Sequence, residues 1–366
     1  MPKQGSISAR QMAVLVLFFI VGDMFWFIPT LLASILDSDA WIPSLLSMFS
    51  GLVVVWFVDK CYRLFPGLTL IEIHRAALGK WLGGLCSLFF LFLLFNAIGT
   101  QLRVVGDFVT TQMMPETPVR VIVLMITILV VITLRAGLVV FAKSAEIFIV
   151  GLVLMFIMFI VMLLPEASLS NLLPVFHHKA ADYGKGVLYA TSFPFFQMVT
   201  FFMLFPFMKQ TNSWTRDFML VSLVASCSLF LIVIMSLLVL GDYMTEHQIY
   251  AAYAMAKRIS IGRFIERVEA VLVISYIVST YVKMSINAFA FVYGLSQFLG
   301  LREQRAIIFP FGLLMFGLAY TIGPNIPYIN SFVTIWPFWD LTNMLILALA
   351  AVIMVVFKKG RVSNIG

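Results

Sequence analysis

Residues 147–164 read IFIVGLVLMFIMFIVMLL, a run without one charged, hydroxyl or amide side chain. A segment apolar on every side has no face to offer water, so it must sit in lipid or among other buried helices. Apolar stretches of at least about 17 residues occur ten times, at roughly 11–36, 40–58, 82–113, 118–134, 147–164, 184–208, 217–241, 264–298, 307–323 and 331–357. Spanning β-strands need only about 10 alternating residues, whereas these runs are longer and uniformly apolar, so their backbone hydrogen bonds must close within helices. The chain of 366 residues thus reads as an all-α integral membrane protein with ten transmembrane helices, forming a single transmembrane domain over 1–366. Only 11% of residues are charged, against about 25% in soluble domains. Soluble enzyme, nucleic-acid module and secreted scaffold are thereby excluded.

The net charge of +7 then reports topology. With ten spans both termini share one side, and that side collects fifteen of the 24 Lys and Arg residues, against six on the far side. The positive-inside rule makes the termini cytoplasmic, with the lipid bilayer as the partner that the charge serves and no role for nucleic acid. The N-terminal apolar stretch is too long for a cleaved leader, whose core is about 7–15 residues. Polar connections around 59–80, 165–183 and 242–263 leave no room for a soluble domain. Two of them, LTLIEIHRAAL at 68–78 and HQIYAAYAMAKRI at 247–259, mix apolar and basic residues at helical spacing and read as helices on the membrane surface.

Two spans carry helix-breaking residues at mid-membrane. Span 1 places Gly22 and Asp23 at its centre with Pro29 beyond, and span 6 places Ser192, Phe193, Pro194 and Gln197 at its centre. A helix interrupted in lipid leaves backbone groups that are tolerable only where they line a cavity or bind a ligand. Dividing the chain near residue 165, into repeats of about 1–165 and 166–366, makes each interrupted helix the first of a five-helix half. That is the pattern of an inverted-repeat transporter fold with its site between the breaks. Simple kinks, common in membrane helices, are the other reading.

Span 8 aligns Glu269, Tyr276, Thr280, Lys283 and Asn287 on one helical face. A lysine inside the membrane costs about 2.5–3.5 kcal/mol on insertion scales, so Lys283 must face the bundle interior. Asp23, Asp340 or exposed carbonyls at the span 1 break are its expected partners. It serves either as a structural ion pair or as part of a ligand cavity. Span 3 sets Asn96, Thr100, Arg103 and Asp107 on one face, with Arg103 and Asp107 spaced to pair with each other. The histidines His74, His177, His178 and His247 fall in connections, away from Cys or carboxylate at ligand spacing, and His177 and His178 are expected to be solvated. No nucleotide, metal or hydrolase motif occurs, so no catalytic residue, cofactor or metal is expected and the chain does not read as an enzyme. The glycines of the G-x-x-x-G at 79–83 are expected to serve a turn rather than a helix-packing face.

Gln11 with VGDMFWFIP, LGKWLG at 78–83, NLLPV at 171–175, SFPFFQ with LFP at 204–206, and FIERVEAVL at 264–272 together resemble the spore germination permeases. These are the B subunits of nutrient germinant receptors, in the amino acid/polyamine/organocation superfamily, and the resemblance covers essentially the whole chain. It implies a LeuT-like 5+5 inverted repeat with helices 1 and 6 interrupted, residence in the inner membrane of the spore, and binding of a small nutrient such as an amino acid. It also implies assembly with a membrane A subunit and a lipoprotein C subunit. By position, the nutrient would meet Gly22, Asp23 and Met24 at the span 1 break and Ser192, Phe193 and Gln197 at the span 6 break. Asn96, Ala97 and Thr100 of span 3 and Tyr276, Thr280 and Lys283 of span 8 would complete the pocket. Related sequences often carry an acidic residue where this one has Gln197. Lys283 near the cation position of sodium-dependent relatives implies that sodium is not needed. Two functions fit these features: a nutrient sensor that triggers germination, and a proton-coupled secondary transporter of amino acids or similar metabolites.

Overall fold

The computed structural model describes residues 5–22, 27–259, 268–301, 303–323 and 326–357. Helices dominate: α1 (Ala9–Val21), α2 (Ile28–Leu36), α3 (Trp41–Leu64), α4 (Leu70–Gln112), α5 (Val119–Ala136), α6 (Leu138–Leu163), α7 (Ala180–Phe195), α8 (Trp214–Leu240), α9 (Asp242–His247), α10 (Ala251–Arg258), α11 (Val268–Leu299), α12 (Arg305–Thr321), α13 (Ile326–Val333) and α14 (Trp336–Phe357). Among the described residues, eight helical runs are long and apolar enough to cross a membrane, and α1 and α12 are apolar but shorter. The protein is therefore an all-helical integral membrane protein.

Local chemistry sets the boundaries. Ser8 and Gln11 form a reciprocal capping box that starts α1, and the Gln11 amide reaches on to Glu146 of α6 at 3.0 Å. Thr69 and Glu72 repeat the device at α4. Gly79, at φ +82°, then kinks α4 and divides the amphipathic stretch 70–78 from the membrane-spanning part. After that turn the chain folds close on itself: a Cβ on Gly83 would lie 2.3 Å from the carbonyl oxygen of His74. The two glycines serve a turn and a close intrachain approach. The second amphipathic segment forms α10, whose Ala251, Ala252, Met255 and Ala256 are buried against α8 and α11.

Burial orders the helices from centre to periphery. In the span from Ala180 to Met203, 83% of the most apolar window is buried, and in that from Leu272 to Leu299, 72%, against 17% for the span containing α6. The second half of span 6 and α11 are the core, and α6 turns Ile147, Val150 and Leu154 outward as lipid-facing surface. Helix α1 lies between α6, α8 and α11, and α3 packs on α7 and α8. At one end of the bundle Ile7 hydrogen bonds with Phe207 and Lys209. At the opposite end the Thr30 hydroxyl donates to the Gln248 carbonyl at 2.6 Å and Ser38 to that of Pro174 at 2.7 Å.

Candidate functional site at the helix breaks

Helix α1 stops at Val21 and α2 begins at Ile28, so span 1 is divided where Gly22 was expected to divide it. Asp23 and Met24 lie outside the described residues. Span 6 changes character differently. Pro194 brings no N–H to the helix, α7 ends at Phe195, and the chain continues as a 3-10 helix over Phe196–Met203. The break is a change of helical pitch at Phe195–Phe196, within the segment bounded by Ser192 and Gln197.

Lys283 lies where these features meet. Its side chain is fully buried, its Nζ approaches the Phe193 carbonyl at 3.5 Å, and it stands 4.7 Å over the ring of Phe19. An ammonium above an aromatic face and beside a carbonyl is held by dipoles and a quadrupole in place of water. One turn earlier on α11, the Thr280 hydroxyl donates to the Gly22 carbonyl at 2.9 Å, at the end of α1. Gly22 is there because of the approach: a Cβ would sit 2.9 Å from Cβ of Lys283 and 3.1 Å from its Cδ. Phe193 packs edge-on to Phe27, at 4.5 Å between centroids, across the same junction. Gly22, Phe193, Thr280 and Lys283 therefore converge.

A second polar group lies beside them. Gln197 donates to Asp340 Oδ2 at 2.9 Å, and the Ser192 hydroxyl stands 3.4 Å from the same oxygen. With Ala97, Asn287, Asn343 and Trp336, Gln197 and Asp340 line a cavity of about 20 Å³, room for roughly one water. Asn343 Oδ1 faces this region buried and without a hydrogen-bond partner among the described residues. Asp340, expected from its place in span 10 only as a partner for Lys283, reaches Gln197 and Ser192 through the packing of α14 on the 3-10 segment.

The remaining predicted residues lie apart. Asn96 donates to the Phe92 carbonyl of its own helix at 2.8 Å, and the Thr100 hydroxyl is buried without a hydrogen-bond partner among the described residues. Tyr276 packs edge-on to Phe108 at 5.0 Å, nearer the end of the bundle where Tyr250 and Tyr253 meet the same ring. Burial pushes the Tyr250 phenol above its usual pKa. Arg103 and Asp107 form the expected pair, with Nε at 3.0 and 2.9 Å from the two carboxylate oxygens. One expectation needs correction: His177 and His178 are not simply solvated. Each faces a carboxylate, because the connection before α7 packs against the α2–α3 link.

The end of α1, the pitch change in span 6 and the buried lysine between them lie at the centre of an all-helical integral membrane protein. The profile of the family described as "Spore germination protein" matches residues 6–326, and the chain belongs to that family. Among curated relatives, it is 24% identical to spore germination protein KB of Bacillus subtilis (strain 168), over 98% of this chain and 97% of that protein. It is 25% identical to spore germination protein GerQB of Bacillus cereus and 24% to spore germination protein YndE of Bacillus subtilis (strain 168), each over 75% of both chains.

Proposed function

We propose that the chain is the nutrient-binding membrane subunit of a spore germinant receptor, sensing a small metabolite such as an amino acid and triggering germination. Family membership supports the receptor role, and the junction of α1, span 6 and α11 around Lys283 supports the binding role. On this reading the ten apolar segments are ten membrane crossings in a LeuT-like 5+5 inverted repeat. Both termini face the spore core across the inner membrane. An A subunit and a lipoprotein C subunit carry the signal onward.

The single observation that carries the reading is the placement of Lys283. A fully buried ammonium where the end of α1 meets the pitch change in span 6 has a large desolvation cost, and such groups mark ligand and ion pathways in membrane proteins. The neighbouring cavity of about 20 Å³ is too small for an amino acid, so binding requires the helices around Gln197 and Asp340 to part. That rearrangement is the conformational change a sensor needs to signal. Spores carrying Lys283→Met are expected to contain normal amounts of the chain and to lose the nutrient response. A normal response refutes the assignment. Uptake by proteoliposomes holding this chain alone separates sensing from proton-coupled transport: the sensor binds without accumulating substrate.

A further inference from the structure

Away from the helix breaks, three side chains distant in sequence converge at the end of the bundle opposite the N-terminus. Asp37 opens the 3-10 turn Asp37–Ala40 between α2 and α3, while His177 and His178 stand in the connection leading into α7. Asp37 Oδ2 lies 3.3 Å from Nε2 of His178 and 3.7 Å from Nε2 of His177, and one donor atom from each residue falls within 4.8 Å of the others. We propose that Asp37, His177 and His178 bind a divalent transition-metal ion of the zinc type, with three protein ligands and an open fourth position.

The spacing fits the ion. Donors about 2.0–2.1 Å from a tetrahedral zinc stand about 3.3 Å from one another, close to the separations around Asp37. Two imidazoles and one carboxylate are a borderline donor set that favours zinc or cobalt over calcium or magnesium. The surroundings supply the outer support that metal-binding histidines need. Asp39 is fully buried and its Oδ2 lies 3.2 Å from Nδ1 of His177. The same carboxylate accepts from the Phe176 and His177 amides at 3.0 and 3.2 Å and from the Tyr183 hydroxyl. With Asp39 beside Nδ1 of His177, Nε2 is the ring nitrogen turned toward the Asp37 carboxylate, where a cation between the two would be held. His178 Nε2 is shut off from solvent and makes no hydrogen bond among the described residues, yet faces the same oxygen.

Two backbone features aim the ligands. Asp37 has φ +46° and Phe176, just before His177, has φ +59°, both in the left-handed region that side-chain-bearing residues rarely occupy. The Asp37 side chain is 49% exposed, which leaves a path for the ion and a solvent-facing fourth position. A bound ion ties the end of α2 to the segment that leads into α7, linking the outer parts of the two interrupted spans.

The test uses the purified full chain, stripped with chelator and titrated with Co²⁺ and then Zn²⁺. One equivalent of Co²⁺ is expected to give the visible absorption of a tetrahedral ion, to be displaced by Zn²⁺, and Zn²⁺ is expected to raise the thermal midpoint. Asp37→Gly suits the positive φ, so its metal-free form should fold as well as the parent while losing at least about tenfold in Zn²⁺ affinity. His178→Ala should lose the cobalt spectrum, whereas His247→Ala, altering an exposed histidine elsewhere, should keep it. Absence of a stoichiometric cobalt spectrum, or equal Zn²⁺ affinity in the parent and Asp37→Gly, overturns the proposal.

Discussion

Substituting Gly51 by Ala places a methyl group against the pitch change in span 6. The added carbon on α3 would lie 2.3, 2.5 and 2.6 Å from three ring atoms of Phe195. Carbon atoms rest about 3.5–4.0 Å apart, so the ring must retreat by roughly 1.2 Å. Phe195 is fully buried at the last residue of α7, so the ring is held by its neighbours and the two helices must separate. Overpacking of this kind costs about 1–3 kcal/mol, and the rigidity of the ring places this site near the upper end. Scaled with chain length as in soluble proteins, that is a fall of about 4 °C in the thermal midpoint of the purified protein. Phe195→Leu in the same chain makes room for the methyl, so the double variant should recover at least half of the loss. A Gly51→Ala protein within a degree of the parent, or a double variant whose loss equals the sum of the singles, refutes the packing argument.

Other perturbations read other parts of the structure. Arg103→Leu strands the largely buried Asp107 carboxylate and should cost about 3–5 kcal/mol. Replacing both residues by Leu should restore most of that in thermal unfolding. Thr280→Val removes the donor to the Gly22 carbonyl and should cost about 1–3 kcal/mol and weaken the nutrient response, whereas Thr280→Ser should leave both close to the parent. Gly79→Ala forces a side chain into φ +82° and should lower stability by about 1–3 kcal/mol, measurable as a lower thermal midpoint without loss of nutrient specificity.

Much of the site was legible because helical periodicity in lipid is unforgiving. Thr280 and Lys283 had to share an inward face, and Gly22 and Pro194 had to mark irregular backbone, since lipid offers polar groups no alternative. Arg103 and Asp107 were readable for the same reason, four residues apart on one helix. What sequence spacing could not supply was contact between distant elements. The partnership of Gln197 and Ser192 with Asp340 depends on how α14 lies against the 3-10 segment, and Asp37 meets His177 and His178 only through the fold. Asn96 shows a further limit: its amide donates to the Phe92 carbonyl one turn back, a rotamer choice that spacing does not determine. Nor did Pro194 reveal whether span 6 would open or continue with a tighter pitch; it continues as a 3-10 helix among the buried rings of Phe195, Phe201 and Phe202.

Ligand binding at the junction of α1, span 6 and α11 is the step on which sensing depends. The most direct test is thermal unfolding of the purified chain across a panel of amino acids and sugars, repeated with Lys283→Met. A nutrient at one hundred times its dissociation constant adds about 2.7 kcal/mol of apparent stability to a protein that binds it only when folded. One chemical class of nutrient is expected to stabilise the parent and leave Lys283→Met unmoved. Equal stabilisation of both proteins would place the binding site elsewhere and contradict that expectation.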